Sequence, residues 1–427
     1  MGMHTLADAQ ARDRADALRG YRDRFHVPEG QIYLDGNSLG LLTRDAAAEV
    51  QRALLQWQTL GIGGWLDADP PWFTLGEELG ALVAPLVGAE PAAVVVTGST
   101  TVNLHALLAT FYRPEGSRRK ILATALDFPS DIYALQSAVA LHGGDPARDV
   151  VQVASDDGRT VDEAAIIAAM TDEVAFAVVP SVMYRSGQLL DIARLAAAGR
   201  ERGVPVLFDC AHSAGAVPHA FDAWGVDFAV WCSYKYLNAG PGATAGMYVN
   251  RRHWGATPGL AGWWGYDKDR QFDMVYEWRG GAGAGAWQIG TPPLLATAPL
   301  RGSLRLFHEA GMTALREKSL ALTSYLMTLI EDLGLCGEPY GYSIGTPRED
   351  ARRGGHVAVE HADAARIAKA LRARGVIPDF RSPNVIRLAP VPLLIGYEDV
   401  WTTVQHLKAI IDGGEHHTFT IGRERVA

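Results

Sequence analysis

From about residue 65 to residue 290, short apolar runs rich in β-branched residues alternate with Ala/Leu-rich stretches. The runs lie at 93–96, 121–123, 174–179, 204–208, 228–231 and 245–249. Runs of this length, continuous rather than alternating, predict strands buried on both faces, and the stretches between them predict crossover helices. The rhythm therefore predicts an α/β fold with a largely parallel sheet covered by helices on both sides. In such sheets the loops at the carboxyl ends of the strands carry ligands.

Outside this core the pattern changes. Residues 5–24 read as an Ala/Arg/Asp-rich surface helix, and Thr43 is placed to cap a helix running to about Leu60. From about residue 302 the chain predicts a second, smaller α+β domain. Long helices are expected at 303–333 and 362–374, and short strands at 356–360, 376–380 and 385–388. The expected division is residues 1–60 packing with the small domain, 61–300 the large domain, 301–412 the small domain, and 413–427 a polar, disordered tail.

Composition narrows the functional classes. A charged fraction of 20% with a net charge of −9 offers no basic footprint for nucleic acid or an anionic membrane surface. No apolar run is long enough to span a bilayer, and residues 1–24 lack the apolar core of a signal peptide. Three widely separated cysteines (Cys210, Cys232, Cys336) make neither a disulfide framework nor a zinc motif, so no metal site is expected and a reducing cytoplasm is. A P-loop and a GxGxxG turn are both absent from the sequence.

Candidate chemistry sits in the strand-end loops. In 226–242 a buried run ends in Ser233-Tyr234-Lys235 and a Gly/Pro turn. A lysine there either snorkels to the surface or, desolvated, becomes a nucleophilic Schiff-base amine. Thr97–Asn103 opens a helix with small hydroxyl residues, which suits either an ordinary cap or a phosphate. Asp127-Phe128-Pro129-Ser130-Asp131 places an aromatic beside acids. Asp209 ends the 204–208 run, with His212 three residues later, and a buried aspartate wants a cation such as a pyridinium nitrogen. Phosphate cradle, stacking aromatic, strand-end aspartate and strand-end lysine, in this order, are the parts that pyridoxal 5′-phosphate (PLP) requires. Gly36-Asn37-Ser38-Leu39-Gly40 also fits the GxSxG nucleophile elbow, but it precedes every βαβ unit, so a substrate-contacting or structural turn is preferred.

Over residues 30–410 the chain resembles the kynureninase family of fold-type I PLP enzymes, in the aminotransferase class V group. The resemblance is carried by Asp35-Gly36-Asn37-Ser38-Leu39-Gly40, Phe128-Pro129-Ser130-Asp131, Asp209-Cys210-Ala211-His212-Ser213, Ser233-Tyr234-Lys235-Tyr236-Leu237-Asn238, Gly262-Trp263, Gly290-Thr291-Pro292-Pro293 and Ile386-Arg387-Leu388-Ala389-Pro390-Val391-Pro392. It implies that Lys235 bonds PLP covalently, Asp209 pairs with the pyridinium nitrogen and Phe128 stacks on the ring. Thr100, Thr101, Ser181 and Tyr234 would surround the phosphate end, with His212 and Asp131 as further contacts. Trp263 and Thr291 would arrive from the neighbouring subunit of an obligate homodimer. Arg387 would clamp the substrate carboxylate, Asn37 and Ser38 would contact substrate, and Trp65 would line its ring pocket.

Two stretches depart from a simple reading. Arg279–Ala286, with four glycines, is read as a closely packed loop near the cofactor rather than a flexible linker. Gly262-Trp263-Trp264-Gly265-Tyr266 stands where many relatives read Gly-Trp-x-Gly-His, which leaves the ring substitution of the substrate open. The resemblance implies hydrolysis of the Cβ–Cγ bond of L-kynurenine or a ring-substituted relative to L-alanine and an anthranilate, as in tryptophan catabolism and NAD biosynthesis. Tyr234 would act as the acid. The rivals are another class V chemistry, an aminotransferase or a desulfurase-type lyase, and a non-enzymatic binding module.

Overall fold

A computed structural model describes residues 5–421. Its centre is a seven-stranded sheet ordered β2-β8-β7-β6-β5-β3-β4. After β1 (Ile32–Tyr33), these strands are β2 (Val94–Val96), β3 (Lys120–Thr124), β4 (Val150–Val153), β5 (Val174–Pro180), β6 (Val206–Asp209), β7 (Phe228–Trp231) and β8 (Gly246–Val249). All run parallel except β8, which lies antiparallel between β2 and β7. Strands β2, β5, β6, β7 and β8 are buried along their whole length, because helices cover both faces; that is why they read as continuous apolar runs. The parallel register brings the ends of β5, β6 and β7 level, with Asp209 opposite both Pro180 and Val230.

The small domain is built on an antiparallel sheet, β12-β13-β10-β9, formed by β9 (Ser343–Ile344), β10 (Val357–Glu360), β12 (Asp379–Arg381) and β13 (Val385–Leu388). The amino-terminal segment threads across it. β1 pairs in parallel with β11 (Val376–Ile377), and Asp35 bridges Ala389. The carboxylate of Asp13 accepts from the free N–H groups of Tyr397 and Glu398 at 2.6 and 2.9 Å, so a residue of the first helix caps the last one (Tyr397–Asp412). Thr43 caps Arg44–Leu60 through the Ala46 N–H, and that helix packs along Leu294–Ala310.

Four expectations need correction. Edge strand β4 is absent from the sequence reading because its residues are only partly buried and its run is short. The single helix expected at 303–333 is two, Leu294–Ala310 and Met312–Asp332, broken where Gly311 takes a φ of 78°. The strand expected at 376–380 divides at Pro378, which has no N–H to continue a ladder, and its halves pair with β1 and β13. Finally, residues 413–421 of the expected disordered tail include a 3₁₀ turn, Glu415–Thr418, with His416 buried; residues 422–427 lie outside the described residues.

Candidate active site

The carboxyl edge of the large sheet gathers the candidate residues. Lys235 lies in the turn after β7, and its Nζ is 3.0 Å from His212 Nε2 and 6.0 Å from the centre of the Phe128 ring. Phe128 heads the helix Pro129–Leu141, whose first turn carries Asp131. Asp209 ends β6, where one carboxylate oxygen accepts from the Ala211 N–H at 2.8 Å. Ser181 follows β5; its hydroxyl meets the Asp209 carbonyl at 3.0 Å and Ser213 Oγ at 2.7 Å. After β2, Ser99 caps the helix Thr100–Phe111 through the Val102 N–H, leaving Thr100 and Thr101 in an open first turn. The cap and a phosphate cradle are thus compatible at that end.

The electrostatics of this edge are those of a site short of a cation. Asp209, Asp131 and Asp127 are all buried. Burial raises all three carboxyls, Asp127 to about 7, and repulsion from Asp209 adds to the rise at Asp131 and Asp127. Asp209 is pulled back by the nearby Lys235 ammonium and the Ala211 N–H. The His212 imidazole is pushed well below its ordinary range, by burial and then by Lys235, so it is neutral beside the lysine.

The small domain and the amino-terminal turn supply the opposite wall. Arg387, 1% exposed on β13, places Nε and one Nη on Asp379, and its other contacts are the Tyr184 carbonyl at 2.6 Å and Ser38 Oγ at 2.9 Å. Ser38 is therefore the acceptor of an arginine hydrogen bond, which gives the GxSxG turn a positioning role. Asn37 is fully buried, and neither atom of its amide has a partner among the described residues. Gly40 locks this turn onto the lysine loop: its N–H donates to the Tyr234 carbonyl at 2.8 Å. A Cβ on Gly40 would lie 2.4 Å from the Lys235 carbonyl oxygen.

Several contributors were not singled out in the sequence. Asp379 holds Arg387 from β12, Tyr184 also sets its ring edge-on to Phe128 at 5.2 Å, and His356, fully buried, packs its ring 5.7 Å from His212. Tyr184 meets Arg387 across 203 residues, while Asp379 lies only 8 residues from Arg387 and reaches it through the antiparallel pairing of β12 and β13; the one local hint to His356 is the Gly354-Gly355 pair before it.

The tryptophan candidates lie in an aromatic cluster of their own. Trp65 packs on Trp72 and Trp264 at 5.7 and 5.2 Å, and Phe73 joins Trp264 to Phe272. Trp263 and Thr291 are exposed, and Trp263 leans on Phe272, itself 71% exposed. The Gly-rich loop is closely packed, with Gly283–Trp287 buried as a 3₁₀ turn; a Cβ on Gly283 would lie 2.0 Å from the Ala92 carbonyl. It packs against the turn before β2 and the Gly262–Gly265 segment.

These residues fit PLP. Asp209 and Asp131 are buried acids in need of a cationic N–H. His212 Nδ1 and Ser233 Oγ are buried without partners among the described residues, and Lys235 faces them on the same edge. Solved structures share the fold. The chain superposes on a cysteine desulfurase from Thermococcus onnurineus with a TM-score of 0.79 at 16% identity, covering 92% of this chain and 98% of that one. It also superposes on a C-DES variant with glycine covalently linked to its PLP cofactor, with a TM-score of 0.77 at 19% identity over 90% and 98%. Fold and site together define a PLP-dependent enzyme of fold type I, in the class V group.

Sequence comparison goes further. Residues 315–407 match the kynureninase C-terminal domain and residues 69–220 the DegT/DnrJ/EryC1/StrS aminotransferase family. The chain is 54% identical over 424 residues to the kynureninase of Geobacillus thermodenitrificans, covering 99% of this chain and 98% of that protein. It is 50% identical over 426 residues to that of Shouchella clausii, covering 100% and 99%. The chain belongs to the kynureninase family.

Proposed function

We infer that the protein is a PLP-dependent hydrolase that cleaves the Cβ–Cγ bond of L-kynurenine, or a ring-substituted kynurenine, to L-alanine and an anthranilate. The observation that carries the reading is kynureninase identity across the full length, supported by Lys235 within electrostatic reach of Asp209 and by Lys235 and Arg387 both within reach of His212. Lys235, Asp209, Asp131, Phe128, His212, Ser181, Thr100, Thr101 and Tyr234 are the residues that would hold the cofactor. Bound PLP supplies the electron sink that makes the substrate Cα proton removable.

The chain's own groups do the rest. Lys235 Nζ is the amine that takes the Cα proton, with the neutral His212 imidazole as its hydrogen-bond partner. Burial drives the half-buried Tyr234 hydroxyl further above its ordinary range, so it stays protonated at neutral pH and can donate. The Arg387 guanidinium, set by Asp379, Tyr184 and Ser38, keeps one Nη1–H for the substrate carboxylate, and Asn37, next to Ser38 in the chain, adds an unused amide.

Assembly and location belong to the same reading. Trp263, Phe272, Met274, Val275, Tyr276, Ile62 and Leu66 leave a broad apolar surface exposed on one protomer. A second copy covers it in the homodimer, bringing Trp263 and Thr291 to the partner's site. Three free cysteines support a reducing compartment such as the cytoplasm, and the kynureninase relatives support a place in tryptophan catabolism. A desulfurase is disfavoured, since the exposed Cys336 has its thiol raised by partial burial.

The test is product analysis with a panel of kynurenines, together with borohydride reduction. Equimolar alanine and anthranilate, and a reduced cofactor fixed on Lys235, are expected. Amino-group exchange with a keto acid and no alanine would refute the reading, as would a protein that takes up no PLP.

A further inference from the structure

At the far end of the small domain a second chemical cluster is left over by the mechanism. Asp363, His416 and His417 each present a ligand atom, and those atoms lie within 4.8 Å of one another. Asp363 stands at the N-cap position of the helix Ala364–Ala373, yet its carboxylate makes no capping bond to that helix. One of its oxygens accepts from Arg366 at 3.1 Å, and its other oxygen has no hydrogen-bond partner among the described residues. His416 is 5% exposed, and its Nδ1 lies 3.3 Å from the Ile410 carbonyl. An imidazole that donates Nδ1–H to a backbone carbonyl has its tautomer set and its Nε2 lone pair turned to a ligand, as metal-bound histidines are held. His417 is the next residue of the same 3₁₀ turn, with the two ring centres 3.9 Å apart.

We propose that Asp363, His416 and His417 form a binding site for a borderline transition-metal dication, Zn²⁺ or Ni²⁺, with water completing the shell. Two imidazoles and one carboxylate suit these ions, whereas Mg²⁺ and Ca²⁺ prefer oxygen ligands throughout. Bonds of about 2.0–2.1 Å place tetrahedral ligands about 3.4 Å apart, so the three side chains close by ~1 Å on binding. The ion links the turn Glu415–Thr418 to the start of the helix Ala364–Ala373. It is a staple for the end of the chain and lies apart from the Lys235 site, with which these three residues share no contact. The sequence spacing conceals it, because one ligand lies more than 50 residues from the other two.

The test uses the PLP-loaded enzyme, stripped with EDTA, desalted and titrated with Zn²⁺ by calorimetry, with metal content measured after gel filtration. One Zn²⁺ per protomer is expected for the unaltered protein, with none of this uptake from Mg²⁺. His417→Ala and Asp363→Asn, both on solvent-accessible side chains, should each weaken Zn²⁺ binding at least tenfold. The visible cofactor absorbance and turnover of both variants should stay unchanged. A protein that retains no Zn²⁺ overturns the proposal, and so does Zn²⁺ uptake that both substitutions leave at the original affinity.

Discussion

Replacing Arg387 by lysine separates charge from geometry at the wall of the cleft. The guanidinium spans three partners at once: Asp379, the Tyr184 carbonyl at 2.6 Å and Ser38 Oγ at 2.9 Å. A single ammonium on a flexible stem keeps the attraction to Asp379 but cannot reach the other two together. At least one hydrogen bond to a charged group is lost, ~1.5–3 kcal/mol, and the remaining Nη1–H assigned to the substrate carboxylate goes with it. At ~1.4 kcal/mol per tenfold this predicts a fall in kcat/KM of at least about tenfold for Arg387→Lys. Because Asp379 retains a counter-ion, the fold should lose only ~1–3 kcal/mol, the cost of one buried acceptor left unpaired. No hydrogen bond joins the Arg387 side chain to Lys235, Asp209 or Asp131, so PLP content and visible absorbance should not change. Steady-state kinetics on L-kynurenine, read beside the cofactor spectrum, decide it. A variant that loses PLP yet turns over normally per loaded site would refute the carboxylate clamp and move Arg387 into the cofactor shell.

Three further outcomes test other parts of the structure. Mixing Lys235→Ala and Thr291→Ala subunits should restore about one quarter of wild-type activity, since half the dimers are mixed and each carries one intact site; no recovery would argue against sites shared across the dimer. Gly40→Ala drives a Cβ into the Lys235 carbonyl and the Asn238 side chain, so it should cost ~1–3 kcal/mol in thermal unfolding and weaken PLP retention measured by dialysis. Asp127 ionises in the folded apo-protein only near pH 7 but near its ordinary value when unfolded. Folding stability from this group is therefore present at acid pH and falls as pH rises through 4–7. Asp127→Asn should gain on the unaltered apo-protein by up to ~1.4 kcal/mol per pH unit across that window in urea titrations, and a constant difference would count against a buried, protonated Asp127.

The chain by itself determined the large sheet, the loops that carry chemistry and the family. Strands buried on both faces write themselves as unbroken apolar runs, and Asp209, His212 and Lys235 follow those runs within a few residues, where local reading works. Capping at Thr43 was legible for the same reason. What depends on how separate elements pair was not legible. Asp379 and Arg387 meet because β12 and β13 are antiparallel neighbours, and Ser38 reaches Arg387 across 349 residues. The single helix read across 303–333 turned on the conformation of Gly311, and the strand read across 376–380 on which partner each side of Pro378 found. The arginine expected to clamp a carboxylate is already largely engaged within the protein, because a guanidinium buried to 1% exposure must have its charge met before any substrate arrives. Residue types and their order specify which groups a site possesses; only tertiary packing decides which donors remain free to use.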